Sequence, residues 1–382
     1  MIEKKLKYGM VGGGQGAFIG DVHRKSIGME GLAELTAGSF SRSKEITIET
    51  GKVLGMSPER CYTTFEEMAE AEAKRDDKID FAVIVAPNYV HYAAAKAFLS
   101  RGIHVVCEKP MTFEPEEAQE LADLAKKNNL LLCVTYTYTG YPTVKQIREM
   151  IRKGEIGEVR FVMGEYPQEW LATYVEKTDQ RQAKWRTDPK IAGKSNCVGD
   201  IGSHIENTVS YMTGLKIKSL CARLDKTLKD RVLDDNASIM LEFEGGAKGM
   251  YWSSQIAVGY DNALWVRIFG SKGTIEWDQE NCNYFEICKI GEPRQRWSRG
   301  RDGFYPHAQS YSRIPSGHPE GYFEALANIY KTYIGALNKL KAGVTPSEAD
   351  LDFPNAEMGV NGVKYISKCV ESSNKGAVWV DF

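Results

Sequence analysis

Two places in this chain carry residues of types and spacing suited to proton and hydride chemistry. Lys109 sits in Glu108-Lys109-Pro110, directly after the apolar run Ile103 to Cys107. In an open parallel sheet, ligands bind beyond the carboxyl ends of the strands, so a lysine there points into a ligand cleft. Taken alone, a single lysine after a strand reads as a surface charge. Further on comes Gly199-Asp200-Ile201-Gly202-Ser203-His204-Ile205-Glu206-Asn207. On a helix, Asp200 and His204 share one face. A carboxylate and an imidazole so placed can act as orienting group and general base. The plainer alternative is a capping aspartate beside an incidental histidine.

A third motif addresses a cofactor. The strand-like segment Lys7 to Val11 runs into Gly12-Gly13-Gly14-Gln15-Gly16-Ala17, a G-x-G-x-x-A pattern. Gly12 permits the tight turn, Gly14 lets backbone approach a pyrophosphate, and Ala17 is small enough for close helix–sheet packing. A helix starting there aims its first N–H groups at the phosphates. Glycine turns also arise for structural reasons alone, so the motif's weight comes from its place in the first strand–helix unit. At the end of the second strand, an NAD site usually has an acid for the ribose 2′-hydroxyl. Here the chain reads Ser39-Phe40-Ser41-Arg42-Ser43. Arg42 and the serines suit a 2′-phosphate, a slight lean toward NADP, while Arg42 as a solvated loop residue or a stacking partner for adenine stays open.

The elements that must position these residues fall into two textures. Strand-like runs at Lys7–Val11, Ala33–Phe40, Phe81–Val85, Ile103–Cys107 and Leu130–Val134 alternate with helical patterns such as Tyr89–Arg101 and Pro115–Lys127. That alternation predicts an α/β Rossmann domain over 1–135, a doubly wound parallel sheet. From 136 to 382 a helix at Val144–Lys153 precedes strand-like stretches at Glu158–Glu165, Ile217–Leu224, Ala237–Phe243, Ala247–Ser254, Ala263–Gly270 and Gly273–Trp277. Short glycine turns join several of them, which predicts an α+β domain with an open, mostly antiparallel sheet. Tyr322–Leu340 and 355–372 read as amphipathic helices, with the option of packing back on the first domain, and Glu292–Ser316 as a long loop.

Bulk properties exclude some classes. The chain has 382 residues, enough for two domains with large cores and no need of disulfide or metal staples. Its 49 basic and 51 acidic residues nearly balance, against the basic excess of a nucleic-acid binder. No apolar window is long enough for a transmembrane helix or a signal peptide. The eight cysteines are scattered without a C-x-x-C pair, which reads as reduced thiols in a cytoplasmic protein. No metal site is expected.

The sequence resembles the glucose–fructose oxidoreductase/inositol dehydrogenase (Gfo/Idh/MocA) family over nearly its whole length. The resemblance rests on the N-terminal glycine motif, Ala86-Pro87-Asn88 with His91, Glu108-Lys109-Pro110, and the D-x-G-x-H of Asp200 to His204. Asp235-Asn236-Ala237 and Phe269-Gly270-Ser271-Lys272-Gly273 also match. It implies an NAD(P)-dependent dehydrogenase or reductase acting on a secondary hydroxyl or ketone of a sugar, sugar derivative or inositol. His204 would be the base, Lys109 would stabilise the reacting oxygen, and Asp200 would orient the substrate. The cofactor set would comprise Gly12, Gly14, Gln15, Gly16, Ala17, Phe18, Ile19, Ser41, Arg42, Ala86, Pro87, Asn88, His91, Glu108 and Lys109.

Tyr141, Trp185 and Arg186 are candidate substrate contacts beside the catalytic trio. Tyr136, Tyr138, Trp170, His307 and Gln309 are weaker candidates, because aromatic residues are more often packing residues. The family often has glycines before the catalytic aspartate; Lys194-Ser195-Asn196-Cys197 stands there instead and alters the pocket wall. Two other activities on the same fold remain open: a glycosidase that oxidises its substrate transiently, and a non-catalytic nucleotide or metabolite sensor. The resemblance also suggests a homodimer or homotetramer built on the open sheet face, which would otherwise leave apolar area exposed.

Overall fold

Strands β1 (Leu6–Gly12), β2 (Ala33–Ser39), β3 (Phe81–Val85), β4 (His104–Cys107) and β5 (Leu132–Val134) pair in the order β2-β1-β3-β4-β5, every pair parallel. This computed structural model describes residues 5–382. β3 is buried at all five positions, as a strand covered on both faces must be. Helices α1 (Phe18–Gly28), α2 (Lys44–Val53), α3 (Phe65–Ala73), α4 (Asn88–Leu99) and α5 (Pro115–Lys127) connect the strands. α2 and α3 are short and weakly patterned, and sequence reading does not mark them. Strand order reverses between β1 and β3, so the switch point where such sheets bind ligands lies at the ends of these two strands.

The chain divides into two compact units. The first comprises Met1–Thr135 and Leu326–Val360; the second comprises Tyr136–Ala325 and Asn361–Phe382.

The second unit contains α6 (Pro142–Arg152), β6 (Val159–Pro167), two short helices, α7 (Arg181–Arg186) and α8 (Pro189–Ala192), and α9 (Ser203–Thr213). Strands β7 (Ile217–Asp225), β8 (Asn236–Phe243), β9 (Lys248–Ser254), β10 (Trp265–Gly270), β11 (Gly273–Asp278), β12 (Tyr284–Lys289) and β13 (Gln295–Ser298) follow. After α10 (Pro306–Gln309), α11 (Tyr322–Lys341) and α12 (Ala356–Asn374), β14 (Val380–Asp381) closes the nine-stranded sheet, ordered β13-β12-β11-β10-β6-β9-β8-β7-β14. All its pairs are antiparallel except β6 with β9.

One face of this sheet takes α9, so closely that a Cβ on Gly164 would lie 2.3 Å from Ile205 Cγ2. On β8, Ala237, Ile239, Leu241 and Phe243 are buried and the alternate positions are not. The opposite face presents Met240 and Met250, directly paired across β8 and β9 and each about half exposed.

Two expectations change. Glu292–Ser316 is not simply a loop: β13 pairs with β12, and α10 follows. Gln-Arg-Trp-Ser has no alternating apolar pattern because an edge strand can be held by backbone pairing alone. The segment carrying Asp200 is a π-helical turn, Val198–Gly202, running into α9. Asp200 therefore does not stand one α-turn before His204. Side chains that bond the local backbone accompany this widening: Ser203 donates to Gly199 O (3.0 Å), and Ser195 Oγ accepts from Gly199 N (3.1 Å).

Candidate active site

In the first unit the glycine turn is built as a dinucleotide cradle. Gly12, Gly13 and Gly16 have φ of +79°, +68° and +76°. A Cβ on Gly12 would lie 2.8 Å from Val85 O and 2.9 Å from Ala86 Cα, so only glycine lets β1 pass the end of β3. Ala17 is the N-cap of α1, and no side chain caps that helix, which leaves its first N–H groups available to an anion. The tight helix–strand approach belongs to Gly20, where a Cβ would lie 2.4 Å from Gly13 Cα. Phe18 is 70% exposed beside this turn.

At the end of β2, Ser43 caps α2 through Ile46 N, and Ser41 Oγ accepts from Ser43 N. Arg42 is exposed there with no ion-pair partner among the described residues. His91, fully buried on α4, sits 2.8 Å from Ala86 O through Nε2 and 2.8 Å from Pro110 O through Nδ1. Burial holds its pKa below the usual histidine value against the pull of both carbonyls. Set between these two carbonyls, the His91 ring bridges the loops after β3 and β4, and in its neutral form it donates its single N–H to one of them.

Glu108 is the centre of a buried hydrogen-bonded chain. Its Oε1 lies 2.9 Å from His23 Nε2 and accepts from the Thr135 hydroxyl. His23 Nδ1 lies 2.6 Å from Tyr330 OH. Burial pushes the Glu108 carboxyl up, but the His23 hydrogen bond and charge, the Lys109 ammonium and Thr135 outweigh it and hold it at about 2. Lys109 itself is half-buried at the end of β4. His23, Thr135 and Tyr330 escape sequence reading. The only signal is a polar residue, His23, on the buried face of α1 beside Ile27.

In the second unit His204 is 6% exposed and boxed by tyrosines. Its ring centroid is 4.8 Å from that of Tyr138, 5.7 Å from Tyr136 and 6.3 Å from Tyr166. The hydroxyls of Tyr138 and Tyr166 bond each other, and Tyr166 donates to Asn262 Oδ1 at 2.7 Å. Burial pushes the Tyr138 phenol up to about 12. Asp200 Oδ2 accepts from Arg186 Nε at 3.0 Å and from Gln255 Nε2 at 3.1 Å. The Arg186 guanidinium lies 4.1 Å from the Trp185 ring and 5.6 Å from Trp170, and it donates to Gln182 Oε1 at 2.7 Å.

Asp200, Arg186 and Trp185 are thus one cluster, with Trp170 beside them. Tyr141 is 2% exposed, with its ring 6.3 Å from Tyr138 and 5.7 Å from Trp277. His307 lies on α10 against Tyr311. Gln255 and Asp234 behind Asp200 are not marked by the sequence, whereas Asn196 lies in the Lys194–Cys197 stretch that it does mark.

A parallel sheet with a glycine cradle at its switch point defines the first unit as a dinucleotide-binding domain; the second is an open-sheet domain with an aspartate held by an arginine and a buried histidine walled by tyrosines. Residues 6–136 match the model of the oxidoreductase family with an NAD-binding Rossmann fold, and residues 144–276 match the GFO/IDH/MocA C-terminal domain. The uncharacterized oxidoreductase YfiI of Bacillus subtilis is 37% identical over 100% of this chain and 98% of its own. An inositol dehydrogenase homolog from Azotobacter vinelandii, solved with NAD+, superposes with a TM-score of 0.96 at 37% identity over 100% of this chain and 98% of that one. Its complex with NADH and myo-inositol gives 0.93 at 36% identity, with 100% and 98% coverage. The chain belongs to the Gfo/Idh/MocA family of NAD-dependent oxidoreductases. Among its described residues, no helix is long and apolar enough to cross a membrane.

Proposed function

We propose that the protein oxidises a secondary hydroxyl of a sugar, sugar derivative or inositol, or reduces the matching ketone, with NAD(P). The carrying observation is a carboxylate, Asp200, fixed by Arg186, and an imidazole, His204, walled by aromatic rings, on the π-turn and on the start of α9 that follows it. A polyol needs charged acceptors and donors for its hydroxyls and flat apolar walls for its ring. The myo-inositol complex of the 36%-identical relative supports the same substrate class.

The cradle from Gly12 to Ile19, with Ser41 and Arg42, the Ala86–Asn88 loop and Glu108-Lys109, would hold the dinucleotide. The crowding at Gly12 and the uncapped start of α1 fit that group. Bound, the nicotinamide supplies the hydride acceptor or donor. In oxidation His204 takes the hydroxyl proton, and in reduction it returns it. Lys109 donates a hydrogen bond to the reacting oxygen as that oxygen gains alkoxide character. Asp200 and Arg186, with Trp185 and Tyr141 in the wall, orient the remaining hydroxyls. Exposed Arg42 and the absence of an acid after β2 support NADP over NAD.

A second copy of this chain covers the exposed Met240–Met250 face, giving a homodimer or homotetramer. The unpaired cysteines fit a cytoplasmic setting.

The test is turnover: purified protein with NAD+ or NADP+ and a panel of pyranoses and inositols, followed by nicotinamide absorbance. Reduction with at least one polyol is expected. No reduction of either cofactor with any polyol, and no oxidation of NADH or NADPH with the matching ketoses, rejects the reading.

A further inference from the structure

Behind Asp200 runs a second chain of hydrogen bonds, all within the second unit. Asp234 is 3% exposed, and its carboxylate collects the loop that leads into the π-turn: Ser195 Oγ at 2.9 Å, Asn196 N at 2.9 Å and Val198 N at 2.9 Å. Asn196, 2% exposed, directs its Nδ2 at Asp234 O (3.3 Å) and at Gln255 Oε1 (2.7 Å). Gln255 is fully buried at the end of β9, and its Nε2 donates to Asp200 Oδ2 at 3.1 Å.

The polarity of this chain is forced. An ionised carboxylate and a backbone carbonyl can only accept. With Asp234 O at one end and Asp200 at the other, each amide has one orientation that avoids facing oxygen with oxygen. The amide of Asn196 turns its nitrogen inward, so Gln255 must offer its oxygen to Asn196 and its nitrogen to Asp200. This orientation leaves Asn196 Oδ1 buried without a partner. What the orientation secures is a donor aimed at Asp200.

We infer that Gln255, oriented by Asn196 and anchored through it on Asp234, is a positioning residue that fixes Asp200 as an acceptor for substrate hydroxyls. Asp200 Oδ2 then receives two donors, the Arg186 guanidinium and the Gln255 amide, and neither can take a proton from it. Proton transfer is left to His204, and Asp200 sets which hydroxyl pattern is held. The device depends on Ser195 and Asn196, whose side chains supply bonds that a glycine would lack. It rests on the proposed reading of Asp200 as a substrate contact.

Three variants test it in the full-length protein, with myo-inositol and the pyranose panel as probes: Gln255→Leu, Asn196→Ala and Asp200→Asn. Gln255→Leu removes the donor. Asn196→Ala frees the amide to rotate while leaving Gln255 in place, and it serves if the leucine variant does not fold. For both, the polyol KM is expected to rise about tenfold, the loss of one oriented hydrogen bond to a charged group, with kcat changed far less and NAD(P) affinity unaltered. Asp200→Asn is the control for the underlying reading. If it leaves every polyol KM unchanged, Asp200 is not a substrate contact and the inference falls with that reading. If Asp200→Asn raises KM while Gln255→Leu and Asn196→Ala behave as wild type, the reading of Asp200 stands and the positioning role is overturned.

Discussion

His23 Nε2 lies 2.9 Å from Glu108 Oε1, and its other ring nitrogen lies 2.6 Å from Tyr330 OH, so the residue before Lys109 is held by a fully buried imidazole. His23→Leu leaves that carboxylate without its histidine partner. The expected cost is about 2–3 kcal/mol in denaturant unfolding. The pH dependence gives a second readout. Glu108 is held at about 2 in the folded protein, below the ordinary carboxylate range. Its contribution to stability is present above that ordinary range and is lost as pH falls toward about 2. In His23→Leu the acid loss sets in at higher pH.

Lys109→Ala and His204→Ala each remove one partner in the proposed proton chemistry. Each variant is expected to fold, and kcat to drop by about 10²–10⁴-fold. For His204→Ala, cofactor affinity measured by nicotinamide fluorescence stays at the wild-type value. A His204→Ala enzyme with wild-type kcat would remove the histidine from the mechanism.

Arg42→Asp converts the end of β2 to the acid that NAD sites usually have. Loss of a charge-assisted contact to a 2′-phosphate, and its replacement by repulsion, should lower kcat/KM for NADP+ by about tenfold to a hundredfold while NAD+ is spared or improved. An unchanged ratio of the two cofactors places Arg42 outside the adenosine site.

Gly12→Ala combines a φ of +79° with a Cβ 2.8 Å from Val85 O. Strain of about 1–3 kcal/mol is expected in thermal or denaturant unfolding, together with weakened dinucleotide binding by titration. Wild-type nucleotide affinity in a folded Gly12→Ala protein would show that the turn is not the pyrophosphate cradle.

Glu206 is 5% exposed on α9, and burial raises its carboxyl to about 8. Its charge is felt by the buried Tyr251, Tyr365 and Cys369. The folded state holds this proton more tightly than the unfolded chain. Stability is therefore complete below the ordinary carboxylate range and declines as pH rises to about 8. Glu206→Gln should flatten that decline, raising stability above pH 8 by roughly 2 kcal/mol or more. Parallel Tm–pH curves for the two proteins would exclude an ionising Glu206.

Much of this protein is legible along the chain because its signals are local. The buried runs Phe81–Val85 and Ile103–Cys107 declare parallel strands, since a strand covered on both faces has no polar side to show. Gly12 and Gly14 follow such a strand at fixed spacing, and the Asp235-Asn236-Ala237 and Gly270–Gly273 segments mark strand starts and turns of the second sheet. Fold class, the cofactor motif and the candidates Lys109, Asp200 and His204 all follow from residues read in order.

Tertiary structure decided what depends on partners far apart in sequence. Tyr330 meets His23 across 307 positions, and Thr135 meets Glu108 across 27. No periodicity encodes either contact. The π-turn at Val198–Gly202 depends on Ser195 and Ser203 bonding the backbone of Gly199, a local competition that leaves the sequence looking like an ordinary helix start. Gln255 is one glutamine after a strand until the fold sets Asn196 on one side of it and Asp200 on the other. A hydrogen bond's direction is fixed by what lies at both of its ends, and only the folded chain brings those ends together.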